Sequence, residues 1–145
     1  MATYFKRRAD AVWRGGGKDG SGELNTQSGT LSGTPYSAEM RFGDQKGTNP
    51  EELVAAADAG CFNMALAFGL SGQGYTPEEL RTSAEARIEQ EGAGWTVKSI
   101  ALTLRARVPG ISEEEFRKAA EGAKAGCPIS KLFKAEITLD AQLQQ

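Results

Sequence analysis

Cys61 and Cys127 are the only thiols in a chain of 145 residues that contains no histidine. The missing imidazole removes Ser-His-Asp and Cys-His nucleophilic schemes, His-ligated zinc and every His-based acid–base pair. Two thiols alone are too few for a structural zinc site, and a domain of this size does not need them as a disulfide scaffold. In a reducing compartment two readings remain open: a redox pair, or two unrelated buried thiols.

Local surroundings favour Cys127 as the reactive sulfur. Gly126 closes one helical segment and Pro128 suits the first position of another, so Cys127 is a candidate N-cap. A thiolate there gains from free backbone N–H groups and the positive helix end. Cys61 is placed less well. It lies well beyond the first turn of its own helix, burial on an apolar face raises its pKa, and Asp58 disfavours a negative sulfur three residues away. Activation of Cys61 therefore calls for a cation, and without histidine that means Arg or Lys. Arg41 is the candidate, with Glu51 able to orient its guanidinium. Glu51 precedes Cys61 by ten residues, about 15 Å of rise in a regular helix, so contact requires a bend or a later helix start. The plainer reading of Glu51 is an acid that complements the helix dipole.

The elements that must position these residues follow from periodicity and turn chemistry. Alternation from Tyr4 to Trp13 predicts a strand stopped by Gly15-Gly16-Gly17, followed by strands over Gly22–Thr30 and Tyr36–Phe42, the last with Arg41 near its end. A long helix is expected from Pro50, capped by Thr48 or Asn49 and led by Glu51 and Glu52, with an end near Gly69 or Gly72. Its apolar face reads as Leu53, Ala57, Cys61, Met64 and Phe68. Thr76 to Glu79 reads as a helical turn, and Arg81 to Val108 as a hairpin turning at Gly92-Ala93-Gly94. Ser112 and Glu115 form a capping-box pattern for a helix to Ala125 with Phe116, Ala119, Ala120 and Ala123 inward, and Lys134–Leu143 alternates as a last strand. The order predicts one α+β domain over 1–145, with antiparallel sheets around a long central helix.

Composition narrows the partners. A formal net charge of -2 argues against duplex nucleic acid, which demands a basic face. No uninterrupted apolar run reaches the roughly 20 residues of a membrane span. Met1 to Arg8 is polar and basic without an apolar stretch behind it, so the expected location is the cytoplasm.

Three stretches then carry a family resemblance. Arg41-Phe42, Lys46 to Leu53 and Ala59 to Leu66 form the first, Val108 to Ile111 the second, and Ala123 to Ser130 with Lys134 to Leu139 the third. Together they resemble the osmotically inducible protein C branch of the OsmC/Ohr family. The resemblance implies a peroxidase for organic hydroperoxides, acting more weakly on hydrogen peroxide. It implies Cys61 as the peroxidatic cysteine, Cys127 as the resolving cysteine that closes a disulfide, and Arg41 and Glu51 as the pair that activates Cys61. It also implies an intertwined homodimer, with six-stranded sheets around central helices, active sites at the interface and a dithiol reductant of lipoyl type. No metal, flavin or haem is required. The competing reading is a non-catalytic small-molecule binding domain of the same architecture with inert cysteines; a thiol-dependent hydrolase lacks a base.

Overall fold

The computed structural model describes residues 2–144. The chain divides into two compact units, Met1–Pro50 and Glu51–Gln145.

In the first unit, β1 (Ala9–Arg14), β2 (Ser21–Thr26) and β3 (Thr34–Tyr36) form an antiparallel sheet in sequence order. The β1–β2 register runs from Ala9 opposite Thr26 to Arg14 opposite Ser21. The connecting loop needs glycine, since Gly15 has φ 96°. Trp13 and Tyr36 stack as tilted rings with centroids 5.3 Å apart. Gly22 lies beneath them, where a Cβ would run into both rings. It is the one buried residue among the described residues of this unit, so the sheet has no apolar core of its own.

Two expectations are corrected here. The first strand begins at Ala9 rather than Tyr4, and the third ends at Tyr36. Ala38–Phe42 is instead a short helix, α1, whose N-cap Ser37 accepts from the Met40 N–H. Its Glu39 and Arg41 occupy the first and last turns, each matching the helix dipole. Seven residues with a capping serine suit either assignment by alternation alone, and the cap decides. Arg41 thus ends a helix and not a strand.

The second unit is built on α2 (Pro50–Gly72), which starts and stops where its signals indicate. The face it buries is not the expected one. Glu51, Ala55, Asp58, Phe62, Leu66 and Leu70 point into the unit, while Met64 and Phe68 are 64% and 73% exposed. Both stripes are apolar, so periodicity could not choose between them. Glu51, Asp58 and Asn63 break up any apolar run, yet the alanines keep α2 long and apolar enough, by length and composition, to cross a membrane. The expectation about apolar runs concerned unbroken stretches and stands, while the helix as a whole passes on average composition. The helix nonetheless carries the unit's core on one side.

A 13-residue strand β4 (Glu79–Glu91) pairs antiparallel with β5 (Gly94–Arg107). No helical turn forms over Thr76 to Glu79. The Glu78 N–H instead donates to the Arg107 carbonyl and feeds directly into the ladder. The register shifts between Arg87 and Ile88, where Arg87 faces Ser99 and Ile88 faces Val97. This bulge at Lys98 resets the pleat so that Ile100, Leu102, Leu104 and Ala106 all point inward.

The chain then crosses through α3 (Glu113–Gly126) and α4 (Pro128–Leu132) to β6 (Glu136–Leu143), which lies parallel to β5. The sheet β4-β5-β6 is therefore mixed, not antiparallel throughout. A two-helix crossover is long enough to return the chain in the same direction. Ser112 caps α3 by accepting from the Glu115 N–H, and Phe116, Ala120 and Ala123 are buried as expected. Phe62, Leu66 and Leu70 of α2 join Ile100, Leu102 and Leu104 of β5 and Phe116 of α3 in one core cluster. Each such side chain contributes about 1.5–3 kcal/mol by leaving water.

Candidate active site

The chain folds so that α2 and the start of α4 bring the two cysteines together. Cys127 is both the C-cap of α3 and the N-cap of α4, with extended backbone at φ -60° and ψ 119°. As N-cap its sulfur accepts from the Ser130 N–H at 3.5 Å. The neighbouring N–H in the same turn, that of Ile129, lies near enough to the Cys61 sulfur to favour its charged form, and the Cys127 side chain lies beside Cys61. Both cysteines are free thiols. The capping role expected for Cys127 is thus present, and the turn that it caps serves both sulfurs.

Exposure separates them. Cys127 is 0% exposed, whereas Cys61 is only partly buried. A peroxide arriving from solvent can reach Cys61 and not Cys127. Local reasoning that favoured Cys127 as the attacking sulfur considered its cap and not its burial.

The Cys61 thiol is nevertheless held above its ordinary pKa. Burial is the largest cause, and the hydrogen bond with Cys127 is the next. The Ile129 N–H pulls the other way, while the charges of Cys127 and Asp58 push further up. Among the described residues none of these neighbours is a cation. The concern that a helix-interior, partly buried sulfur is a poor thiolate is therefore met in the folded chain.

Asp58 is the residue that sequence reasoning underused. It appeared there only as an unfavourable charge near Cys61. It is in fact 0% exposed, and its Oδ1 accepts from the Ser130 hydroxyl at 2.6 Å and from the Cys127 thiol at 3.8 Å. Its Oδ2 is buried without a hydrogen-bond partner among the described residues. The available signal was its spacing: Asp58 shares the stripe of Ala55, Phe62 and Leu66, so a carboxylate sits at a core position. Asn63 was also passed over. Its Oδ1 accepts from the Thr82 hydroxyl at 2.6 Å and its Nδ2 donates to the Leu80 carbonyl at 3.4 Å, which ties α2 to β4 beside Cys61.

Glu51 is buried in the first turn of α2. The helix runs unbroken to Cys61, so neither a bend nor a late start shortens the separation of about 15 Å along the axis. Within one chain Glu51 does not meet Cys61. Arg41 ends α1 in the other unit, with its guanidinium 5.0 Å from the centre of the Phe42 ring. Of the apolar residues available to line a hydroperoxide site, Phe62 is plain core at 0% exposed, while Met64 and Phe68 stand exposed on the Cys61 side of α2.

Among the described residues no group of three or more Cys, Asp or Glu could hold a metal ion. The surroundings suit sulfur chemistry: an accessible thiol, a buried thiol against it, and a carboxylate beyond.

The family model for OsmC-like protein matches residues 43–142. Peroxiredoxin OsmC of Escherichia coli is 45% identical over 138 residues, covering 95% of this chain and 96% of that protein. Organic hydroperoxide resistance protein-like 1 of Staphylococcus saprophyticus is 33% identical over 141 residues, 97% of this chain and 95% of its own length. The crystal structure of an OsmC-like protein from Mycoplasma pneumoniae superposes with a TM-score of 0.78 at 15% identity, covering 99% of this chain and all of that one. The family model spans the stretch that holds both cysteines, and the chain belongs to the OsmC-like protein family.

Proposed function

We propose that this chain is a cysteine-based peroxidase that reduces organic hydroperoxides, and hydrogen peroxide more weakly, with Cys61 as the attacking sulfur and Cys127 as the resolving one. The observation that carries the reading is the pair of free thiols in contact, one accessible and one fully buried. Similarity to a peroxiredoxin at 45% identity supports the same reading, and inert cysteines in a binding domain would leave that contact without a purpose.

The Cys61 thiolate displaces alkoxide from the distal peroxide oxygen, and the sulfur becomes a sulfenic acid while the substrate leaves as an alcohol. Cys127 then attacks that sulfur, water departs, and a disulfide closes. A dithiol, of lipoyl type by family resemblance, restores both thiols by exchange. The sulfurs carry both electrons, so the sequence of steps calls on no metal, flavin or haem.

Cys61 needs a cation that its own neighbours do not supply. In the proposed homodimer that cation is Arg41, oriented by Glu51, with both contributed across the interface by a second copy. A guanidinium beside the sulfur favours the thiolate and stabilises charge developing on the peroxide oxygens. Exposed Met64 and Phe68 would form an apolar wall for the organic substituent. Residues 1–145 then act as one OsmC-like domain within an intertwined pair, and the cytoplasm, where thiols stay reduced, suits this cycle.

The test titrates free thiols before and after cumene hydroperoxide in the wild type, Cys61→Ser and Cys127→Ser. The wild type loses two thiols to a disulfide. Cys127→Ser still reacts once and stops at a sulfenic acid, and Cys61→Ser is inert. Peroxide consumption by Cys61→Ser at the normal rate rejects the assignment.

A further inference from the structure

From the geometry around Cys127 we infer that Asp58 is the base of the resolving step: it takes the Cys127 thiol proton as that sulfur attacks the Cys61 sulfenic acid. The inference rests on the peroxidase reading above and assigns a catalytic residue beyond the two cysteines, Arg41 and Glu51.

Cys127 faces a difficulty that Cys61 does not. At 0% exposed it has no solvent to receive its proton, yet it must become a thiolate to attack. The titratable groups in contact with it are Cys61 and Asp58, both from α2. Its other hydrogen bonds among the described residues are to backbone: the Ser130 N–H donates to its sulfur, the Lys131 N–H to its carbonyl, and its own N–H reaches the Ala123 carbonyl. Cys61 is the electrophile at that stage, so Asp58 is the acceptor that remains. Its Oδ1 already receives the Cys127 S–H at 3.8 Å, a long bond of the kind that tightens as the proton moves.

A structural role alone does not account for Asp58. Anchoring Ser130 requires one oxygen, and a neutral asparagine could provide it. The chain instead buries an acid side chain whose Oδ2 has no partner among the described residues, and a polar atom buried without a partner is costly to keep. The Ser130 hydroxyl, donating at 2.6 Å, holds the carboxylate so that Oδ1 faces the sulfur.

The step balances. Cys127 gives its proton to Asp58, and its electron pair forms the S–S bond as the S–O bond of the Cys61 sulfenic acid breaks. The departing hydroxide takes the proton back from Asp58 and leaves as water. Asp58 ends as it began, and the oxidising equivalent comes from the peroxide already consumed.

The test separates the two half-reactions in Asp58→Asn by stopped flow, with dimedone to trap the sulfenic acid. Peroxide attack should proceed at least as fast as in the wild type, because a charge that opposes the Cys61 thiolate is gone. Disulfide closure should slow by about 10²-fold, the lower end of what a positioned base supplies. Closure should also depend on pH more steeply than in the wild type, rising close to tenfold per pH unit as hydroxide replaces the lost base. A merely structural role would slow both half-reactions and leave the pH profile alone. Should Asp58→Asn fail to fold by circular dichroism, Ser130→Ala removes only the bond that aims the carboxylate. Its closure should slow about tenfold with the same steeper pH profile. Closure at the wild-type rate and profile in either folded variant overturns the inference. A Cys127→Ser variant that yields no dimedone adduct at Cys61 overturns the peroxidase reading instead.

Discussion

At the first turn of α4, one N–H serves Cys61 and the next serves Cys127. The two sulfurs share a helix end but differ in reach, and the partly buried one, Cys61, is held above the ordinary thiol pKa. Such a thiol is mostly protonated at neutral pH, so an activating cation has a measurable job. Replacing Arg41 with Ala should lower the peroxide reaction roughly 10²-fold at neutral pH, similar to losing one preorganised donor. The sign with pH is fixed by the raised thiol: the thiolate fraction, and with it the rate, recovers as pH rises. A stopped-flow pH profile checks both points, and an unchanged rate removes Arg41 from the mechanism. Arg41→Lys should rescue only in part, since an ammonium lacks the fork that Glu51 would orient. At this scale much of the site was legible before the fold was known. Gly126-Cys127-Pro128 announces a capping sulfur, because those residue types state their backbone preferences directly. That Cys127 is sealed and Asp58 lies against it was not legible, because burial depends on which stripe of α2 turns inward.

Elements with their own punctuation were readable, and those decided by tertiary pairing were not. α2 announces itself through Pro50 and two acids, α3 through Ser112 and Glu115, and the β4–β5 hairpin through Gly92-Ala93-Gly94. The parallel placement of β6 depends on where the α3–α4 crossover delivers the chain, which no local signal records. The inward stripe of α2 was misassigned because two apolar stripes compete on one helix. The correction has an energetic consequence. Phe62, adjacent to Cys61 in sequence, is 0% exposed and packs in the core cluster. Phe62→Ala should cost about 3–5 kcal/mol through lost burial and the cavity left behind. Urea denaturation should show the loss as a lower midpoint. A change below about 1 kcal/mol would mean that the Phe62 stripe is not the load on which α2 is fixed.

For the molecule as a whole, two features ask for a second surface. The first unit buries only Gly22 among its described residues, and 28% of the most apolar 18-residue window of α2 is buried within the chain. Soluble proteins rarely leave so much contiguous apolar surface uncovered. If a second copy covers it, then Met64→Glu with Phe68→Glu should convert a two-chain species into single chains in sedimentation. Peroxidase turnover should fall with it, since Arg41 and Glu51 would no longer be supplied. A double variant that keeps both its two-chain mass and its activity rules out that face as the interface. The raised Cys61 thiol takes on a further meaning under this arrangement. If Arg41 comes from a second copy, a newly synthesised chain, still alone, would hold little of its Cys61 as thiolate and would react slowly with oxidants. Full reactivity would then arrive only when two chains meet, so activity would rise more steeply than in proportion to how much of the enzyme the cell has made.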